Sequence, residues 1–340
     1  MNIVIPDNQN PPVIRYLDNT TDLIPVADLI ESCFSDHMDS DGYEYLNHIR
    51  KAARDTRFLR WIPGSKEMVS YPLHGFVCVE DNKVVGNLTL IPILVRDHWR
   101  YLIVNVAVHP DYRRHGIGHQ LTQKGLQHIR EHGASSAWLQ VRNDNPVAID
   151  LYKSLGFQER AIRTTWMTNN TQPHPGVIAD LTITPRKDKE WAVHQAWLRN
   201  DYPPEVSWHL PISFNKFKPT FFNKVEYFFS DIALKHWTCY FQGKPIGFIT
   251  WEPTHLSADM LWLALDPQYN QLAANGLLHF IRLQTPPFRA LTINFTENTA
   301  DEAFTENGFV RQNSLIWMEV AFQSSPIPVI RRLLDRLAVL

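Results

Sequence analysis

The chain reads as an α/β (α+β) protein of two tandem domains, each a mixed, mostly antiparallel twisted sheet flanked by helices. Three observations predict this. Its 340 residues exceed the usual size of one hydrophobic core. Runs with strand-like alternation and runs at helical spacing follow the order β-α-α-β-β-β-α-β-α-β through the first half. The second half then repeats that plan with shorter loops.

The elements follow in order. Val13 to Leu17 predicts a strand, and a helix is expected from about Asp22 to Phe34. An acidic loop with Asp36, Asp39, Asp41 and Gly42 precedes a second helix, from about Tyr43 to Thr56. Gly75 to Glu80 and Val84 to Val95, broken by Asp81-Asn82-Lys83, predict a hairpin. Tyr101 to Val108 predicts a strand that stops at His109-Pro110, because proline has no N–H to give the ladder. Ile117, Leu121, Gly125 and Ile129 recur at four-residue steps, so a helix begins near Gly116, and Gly133 is placed to close it. Ala137 to Val141 reads as a strand, Pro146 to Ser154 as a helix and Ala161 to Met167 as a last strand.

The repeat shows as four matches in order. Val177-Ile178 opens a strand as Val13-Ile14 does, and a helix is expected from about Asp188 to Leu198. The hairpin Val77–Gly86 has a counterpart in Cys239–Gly247. Asn105 to Tyr112 lines up with Trp262 to Tyr269, and Gly156-Phe157 with Gly308-Phe309. The offsets are 177−13 = 164, 247−86 = 161, 267−110 = 157 and 308−156 = 152, a smooth decline. The seam falls in the Pro/Gly-containing stretch Asn169 to Gly176. Domains are therefore expected at 1–170 and 171–325, with an amphipathic C-terminal helix over 326–340. Ile330, Leu333, Leu334 and Leu337 form one face of that tail, which docks on its own domain or on a second copy in a homodimer.

Charge and composition exclude several classes. Thirty-three basic against 35 acidic side chains give a net charge of −2, which leaves no electrostatic footprint for nucleic acid or a membrane surface. Cys33, Cys78 and Cys239 lie far apart, without the spacing of a disulfide framework or a zinc site, so no metal is expected. The pairs His115/His119 and His128/His132 have helical spacing but no third ligand, and read as exposed helix residues. Met1 to Asp7 has no signal-peptide pattern, and no apolar run approaches the ~20 residues a bilayer requires. A cytoplasmic protein is expected.

The chemistry concentrates where the strand ending Val106-Ala107-Val108 meets the turn Arg113-Arg114-His115-Gly116-Ile117-Gly118. A helix opening there presents unpaired backbone N–H groups and the positive end of its dipole, which together bind an anion. Side chains at Gly116 and Gly118 would block close approach of a pyrophosphate to those amides, and the arginines add positive charge at the rim. The alternative reading of such glycines is tight helix-on-strand packing.

The combination resembles the GNAT superfamily of N-acyltransferases. Arg113, Gly116 and Gly118 fill that family's Gln/Arg-x-x-Gly-x-Gly/Ala acyl-CoA motif, approached by Val108-His109-Pro110-Asp111-Tyr112. A second family signature, Asn145-Pro146-Val147-Ala148-Ile149-Asp150-Leu151-Tyr152 through Gly156-Phe157, stands at the expected distance. The resemblance spans roughly residues 13 to 167. It implies that acetyl-CoA is the cosubstrate and that the turn Arg113, Arg114, His115, Gly116, Ile117 and Gly118 holds its pyrophosphate. It also implies that pantetheine lies in a gap between splayed strands along Val106, Ala107 and Val108, and that Asn145 bonds the pantetheine arm or its neighbouring backbone. Tyr152 would stand near the thioester sulfur as proton donor, a phenol with pKa near ~10 being neutral at pH 7; the alternative is an aromatic packing one helix face. A backbone N–H, that of Val108, would stabilise the oxyanion.

The acceptor is expected to be a primary amine of a small molecule or a protein. An alkylammonium costs about 4 to 5 kcal/mol to deprotonate at pH 7. Many relatives carry an acid on the strand before the motif, whereas Leu102-Ile103-Val104-Asn105-Val106 has none, so the base is unassigned, with His109 a substitute or a surface residue. Asp36, Asp39, Asp41 and Glu44 line an acceptor entrance or form a solvated loop, and Trp61 and Trp99 supply its apolar walls or pack elsewhere.

In the second half Asn270, Ala273 and Asn275 replace the motif arginine and glycines, and Phe304 stands where Tyr152 stood. That copy reads as degenerate, its cofactor site lost and its fold kept. The rival to an enzyme is a CoA-binding or sensing module, or a structural subunit, that has lost acyl transfer.

Overall fold

The computed structural model describes residues 11–38, 40–54, 73–95, 97–168, 180–208, 214–220, 234–254 and 257–322. They fall into two compact units, one drawn from 1–141, 145–158 and 318–340, the other from 142–144 and 159–317. The tail expected to form an amphipathic helix, the whole seam at 169–176, Val177-Ile178 and Trp61 lie outside the described residues.

The first unit begins with β1 (Val13–Tyr16), α1 (Leu23–Phe34) and α2 (Ser40–Arg54). It continues through β2 (His74–Glu80), β3 (Lys83–Val95), β4 (His98–Val108), α3 (Ile117–Glu131), β5 (Ser136–Arg142) and α4 (Pro146–Ser154). With β6 (Gln158–Thr168) next in the chain, the element order is the expected one. The sheet order here is β1-β2-β3-β4-β5, completed beyond β5 by the end of β12 (Phe309–Ala321). All pairs from β1 to β4 are antiparallel, and β4 with β5 is parallel.

Local chemistry accounts for these elements. Leu23, Val26, Ala27 and Ile30 give α1 a continuous buried stripe against Leu46 and Ile49 of α2. The β2–β3 hairpin turns on Asp81 (φ 47°) and Asn82 (φ 64°), two residue types that tolerate the left-handed conformation of a two-residue primed turn. Pro92 is tolerated in β3 because β2 pairs it only as far as Leu90, so the missing N–H costs no ladder bond on that side.

Helix α3 lies close on β3. A methyl group on Gly86 would come within 2.9 Å of Ile117 Cγ2 and Leu121 Cδ1, and one on Gly125 within 3.1 Å of Leu88 Cδ2. These two glycines let Ile117, Leu121 and Ile129 seat against the sheet, fixing the start of α3 beside the end of β4.

The second unit repeats much of this geometry. It contains β7 (Leu181–Pro185), α5 (Trp191–Asp201), α6 (Pro204–Ser207), β8 (Lys235–Phe241), β9 (Lys244–Glu252) and β10 (Ala258–Leu265). Then come α7 (Asn270–Gln284), β11 (Ala290–Thr296) and α8 (Asp301–Glu306), in a sheet ordered β12-β6-β11-β10-β9-β8-β7. Cys78 pairs with Gly86 and Cys239 with Gly247, and each hairpin has a register shift one residue later. His109 N donates to Val85 O as Asp266 N donates to Ile246 O. The rings of Tyr152 and Phe157 meet at 5.8 Å, those of Phe304 and Phe309 at 5.9 Å. One equivalence shifts: β7 pairs Ile183 with Cys239 as β1 pairs Ile14 with Cys78, so Ile183, not Ile178, stands where Ile14 does.

Gly75 tests how tightly the first sheet is built. A methyl group there would lie 2.1 Å from the carbonyl oxygen of Leu88, a backbone atom that cannot swing away. Gly75→Ala is expected to cost roughly 2 to 4 kcal/mol, read as a lowered denaturation midpoint.

Candidate active site

Strands β4 and β5 pair only over Arg100–Ile103 with Ser136–Leu139, and then run on to Val108 and Arg142 without pairing. A gap therefore opens at the ends of two parallel strands. The orientation of the β4 end follows from one hydrogen bond. Because His109 N donates to Val85 O, Gly86 and Val108 face each other as a non-hydrogen-bonded pair. The N–H and C=O of Val108 consequently point away from β3. The carbonyl accepts from Arg113 Nε at 3.1 Å and from Cys33 Sγ at 3.4 Å.

After Val108 the chain makes a single 3-10 turn (Pro110–Tyr112) and a left-handed excursion at Arg114 (φ 65°) and Gly116 (φ 78°) before α3 begins. Gly116 caps the helix without a side chain, and the first bond of the helix runs from Gln120 N to Gly116 O at 3.0 Å. The N–H groups of Ile117, Gly118 and His119 thus have no acceptor within the helix. Arg113, Arg114, His115 and Gly116 are all exposed. Alternating left-handed residues with bare amides form a concave anion site at a positive helix end.

The two motif glycines differ. A methyl on Gly116 would meet only Gln120 Nε2 at 3.6 Å, so it is the positive φ that requires glycine there. A methyl on Gly118 would meet Leu151 Cδ1 at 3.4 Å and Val108 Cγ2 at 3.7 Å, ordinary contact distances, so neither packing nor φ within the protein requires glycine there.

Asn145 caps α4, its Oδ1 accepting from Ala148 N at 3.1 Å, with Pro146 at the first helical position. Two turns further, Tyr152 is 7% exposed and edge-on to Phe157. Burial pushes its phenol up to about 12, so it stays protonated at neutral pH. His109 Nδ1 accepts from Asp111 N at 3.4 Å and lies 3.7 Å from Asp111 Oδ2.

Residues 30–157 match the model of the acetyltransferase (GNAT) family. That span, under half of the chain, is similar to the family. The matched span includes the gap strands, the turn, α3 and α4. Over 82 residues the chain is 37% identical to the [ribosomal protein bS18]-alanine N-acetyltransferase of Escherichia coli (strain K12), covering 24% of this chain and 55% of that protein. Over 106 residues it is 36% identical to an N-alpha-acetyltransferase of Sulfurisphaera tokodaii, covering 28% and 62%. The chain thus spans about half the length of the curated relatives it matches. A GCN5-related N-acetyltransferase from Sphaerobacter thermophilus shares the fold across 91% of this chain and 95% of its own, with a TM-score of 0.53 and 12% identity. Among the described residues no helix is long and apolar enough to cross a membrane.

Other expected GNAT site residues are less central. Trp99 lies nine residues before Val108 in β4, about 30 Å away along the strand, and walls no part of the gap. Asp36 is exposed, Glu44 sits 3.8 Å from His48, and Asp39 and the Asp41 side chain lie outside the described residues. A cavity of about 660 Å³ lies instead between α1 itself and the β2–β3 hairpin, lined by Asp22, Asp28, Leu29, Ser32, Lys83 and His109. His128, expected to be exposed, is half-buried between Tyr16 and His132, and burial lowers it to about 4.

The second unit closes the corresponding place with its own side chains, which sequence reasoning did not find. Strands β10 and β11 pair over only three residues and then part. Leu265 occupies the position of Val108, and its outward N–H is taken by Asp201 Oδ2 at 2.8 Å. Arg163 Nη1 donates to Asp201 O at 2.8 Å, Nε donates to Asn294 Oδ1 at 2.6 Å, and the guanidinium lies 4.6 Å over the Tyr202 ring. Helix α7 begins at Asn270, four residues earlier in the repeat than α3, so Ala273 N bonds Tyr269 O at 2.8 Å inside the helix. Phe304, in the place of Tyr152, stacks on Trp166 at 5.0 Å.

Burial raises the Asp201 carboxyl from 3.8 to about 6. An acid whose folded pKa lies above its unfolded one stabilises least when ionised, so its contribution declines as pH rises from about 4 to 6. Asp201→Asn keeps an acceptor for Leu265 N–H without the charge. It is expected to remove that decline and to raise stability at pH 7 by roughly 3 kcal/mol, read from denaturation midpoints at pH 4.5 and pH 7.

Proposed function

We propose that the first half of the chain, about residues 13 to 167, transfers acetyl from acetyl-CoA to a primary amine by direct attack. The observation that carries this reading is the outward amide of Val108 set beside the bare helix start at Ile117, Gly118 and His119. One end of the site suits a diphosphate and the other a developing oxyanion.

In this mechanism Arg113, Arg114, His115, Gly116, Ile117 and Gly118 hold the pyrophosphate. The pantetheine arm lies in the β4–β5 gap along Val106, Ala107 and Val108. Asn145 fixes the start of α4 through its Oδ1 and is proposed to bond the pantetheine arm through its Nδ2. The amine attacks the thioester carbonyl, Val108 N–H stabilises the oxyanion, and Tyr152 gives a proton to the departing sulfur. Burial that keeps the phenol neutral suits it to donation and not to general base work. No carboxylate on Leu102 to Val106 takes the amine proton, so solvent is the proposed proton acceptor.

The two similar proteins act, by name, on a ribosomal-protein alanine and as an N-alpha-acetyltransferase, which favours a protein N-terminus among the amine classes. The missing carboxylate favours a second reading, in which the domain binds or senses CoA without turnover. A cytoplasmic enzyme using one CoA per chain is the leading picture, because the second unit fills its own slot with Arg163 and Asp201.

Calorimetry with CoA is expected to give one site per chain, and Tyr152→Phe to lower thiol release from acetyl-CoA by about 10- to 100-fold with CoA affinity unchanged. Binding without release in the wild type, across a panel of amines and alanine-starting peptides, would select the sensing reading. No binding at all ends both.

A further inference from the structure

Two residues outside the motifs bear on the same site. Between β3 and β4 the register slips: Asn87 faces Ala107, but Thr89 faces Val104, so β4 carries one extra residue. The bulge centres on Asn105, whose φ of 53° is left-handed. It lies two residues past Ile103, the last residue that β4 pairs with β5. The strand therefore changes direction where the gap opens.

Polar contacts hold the bulge on both sides. Asn87 Nδ2 donates to Asn105 O at 2.9 Å, and Asn105 Nδ2 donates to Tyr45 Oη at 2.8 Å. Tyr45 packs on the buried cluster that includes Leu46 and Ile49, so the hydroxyl is fixed to the core of α2. Asn87 is fully buried and its Oδ1 has no partner, a cost that an ordinary sheet position would not carry.

The second unit supplies an internal comparison. There β9 and β10 pair without a slip from Glu252/Met260 to Gly247/Leu265, with one residue fewer than in β4. Phe248, one residue past Gly247, stands where Asn87 does and is buried in the apolar core. The copy whose slot is filled has neither the bulge nor the buried amide.

We propose that Asn105 and Tyr45 are positioning residues of the acyl-transfer site. Tyr45 anchors the Asn105 side chain, and Asn105 holds the left-handed bulge that aims Val106 to Val108 into the gap. This rests on the acetyltransferase reading given above. Asparagine suits the position because it tolerates positive φ and supplies the N–H that reaches Tyr45.

The test compares wild type, Tyr45→Phe, Asn105→Gly, Asn105→Ala and the Tyr45→Phe/Asn105→Gly double variant in the full chain. The readouts are CoA affinity by calorimetry, thiol release from acetyl-CoA with an alanine-starting peptide, and amide exchange over residues 104–108. Asn105→Ala should lose about 100-fold in release while CoA affinity, set mainly at α3, stays within about threefold. Asn105→Gly keeps the positive φ and should recover at least about tenfold over Ala, reversing the usual preference for Ala over Gly in a strand. Tyr45→Phe should lose about tenfold, and the double variant should be no worse than the poorer single one. Exchange over 104–108 should quicken in Asn105→Ala and Tyr45→Phe and return toward wild type in Asn105→Gly.

Equal behaviour of the Ala and Gly variants, a silent Tyr45→Phe, or losses that multiply in the double variant would overturn the proposal while the wild-type enzyme still turned over. If the peptide is not accepted, the exchange order of Gly against Ala decides. A wild-type chain that binds no CoA removes the acetyltransferase reading and this assignment with it.

Discussion

A backbone amide that a strand turns away from its own ladder must find an acceptor, and both halves of this chain are organised around one such amide. Val108 and Leu265 hold equivalent places at the ends of β4 and β10, turned outward by the bonds from His109 to Val85 and from Asp266 to Ile246. In the second unit a carboxylate from α5 answers the demand, and Arg163 and Tyr202 are layered behind it. On the proposed reading the first unit leaves the demand to its cosubstrate. Everything that distinguishes the units functionally follows from how this single donor is satisfied.

Much of this was legible in the sequence, for physical reasons. The helices α1 and α3 announced themselves because burial against a sheet imposes helical spacing on Leu23, Val26 and Ile30 and on Ile117, Leu121 and Ile129. The β2–β3 turn was legible because few residues accept positive φ twice in succession, and Asp81-Asn82 is such a pair. The anion turn could be read from Gly116, whose positive φ requires glycine.

What stayed hidden was non-local or conformational. Asp201 reaches an amide 64 residues away, and Arg163 meets Asn294 across 131 residues, so no local pattern signals either. The bulge left one clue, an asparagine inside an apolar strand, which reads as a missing acid until its φ is known. The strand equivalent to β1 was displaced from Ile178 to Ile183 because apolar dipeptides are common and only the pairing with Cys239 fixes the register.

The two helix starts treat equivalent amides differently. Helix α7 runs back through Asn270 to Ala273, residues that all accept helical angles, so each amide that would face an anion pairs with the turn before it. Helix α3 cannot do this while Arg114 and Gly116 remain left-handed. Extending a helix by one turn adds several backbone bonds of about 1 kcal/mol each, which makes the closed form the more stable local solution. An open helix start, a buried asparagine with an idle oxygen and a bulged strand all run against local stability, and they occur together in one copy. The second unit has regular helix, regular strand and apolar core at each of these points, and on the proposed reading the irregularities of the first serve its chemistry.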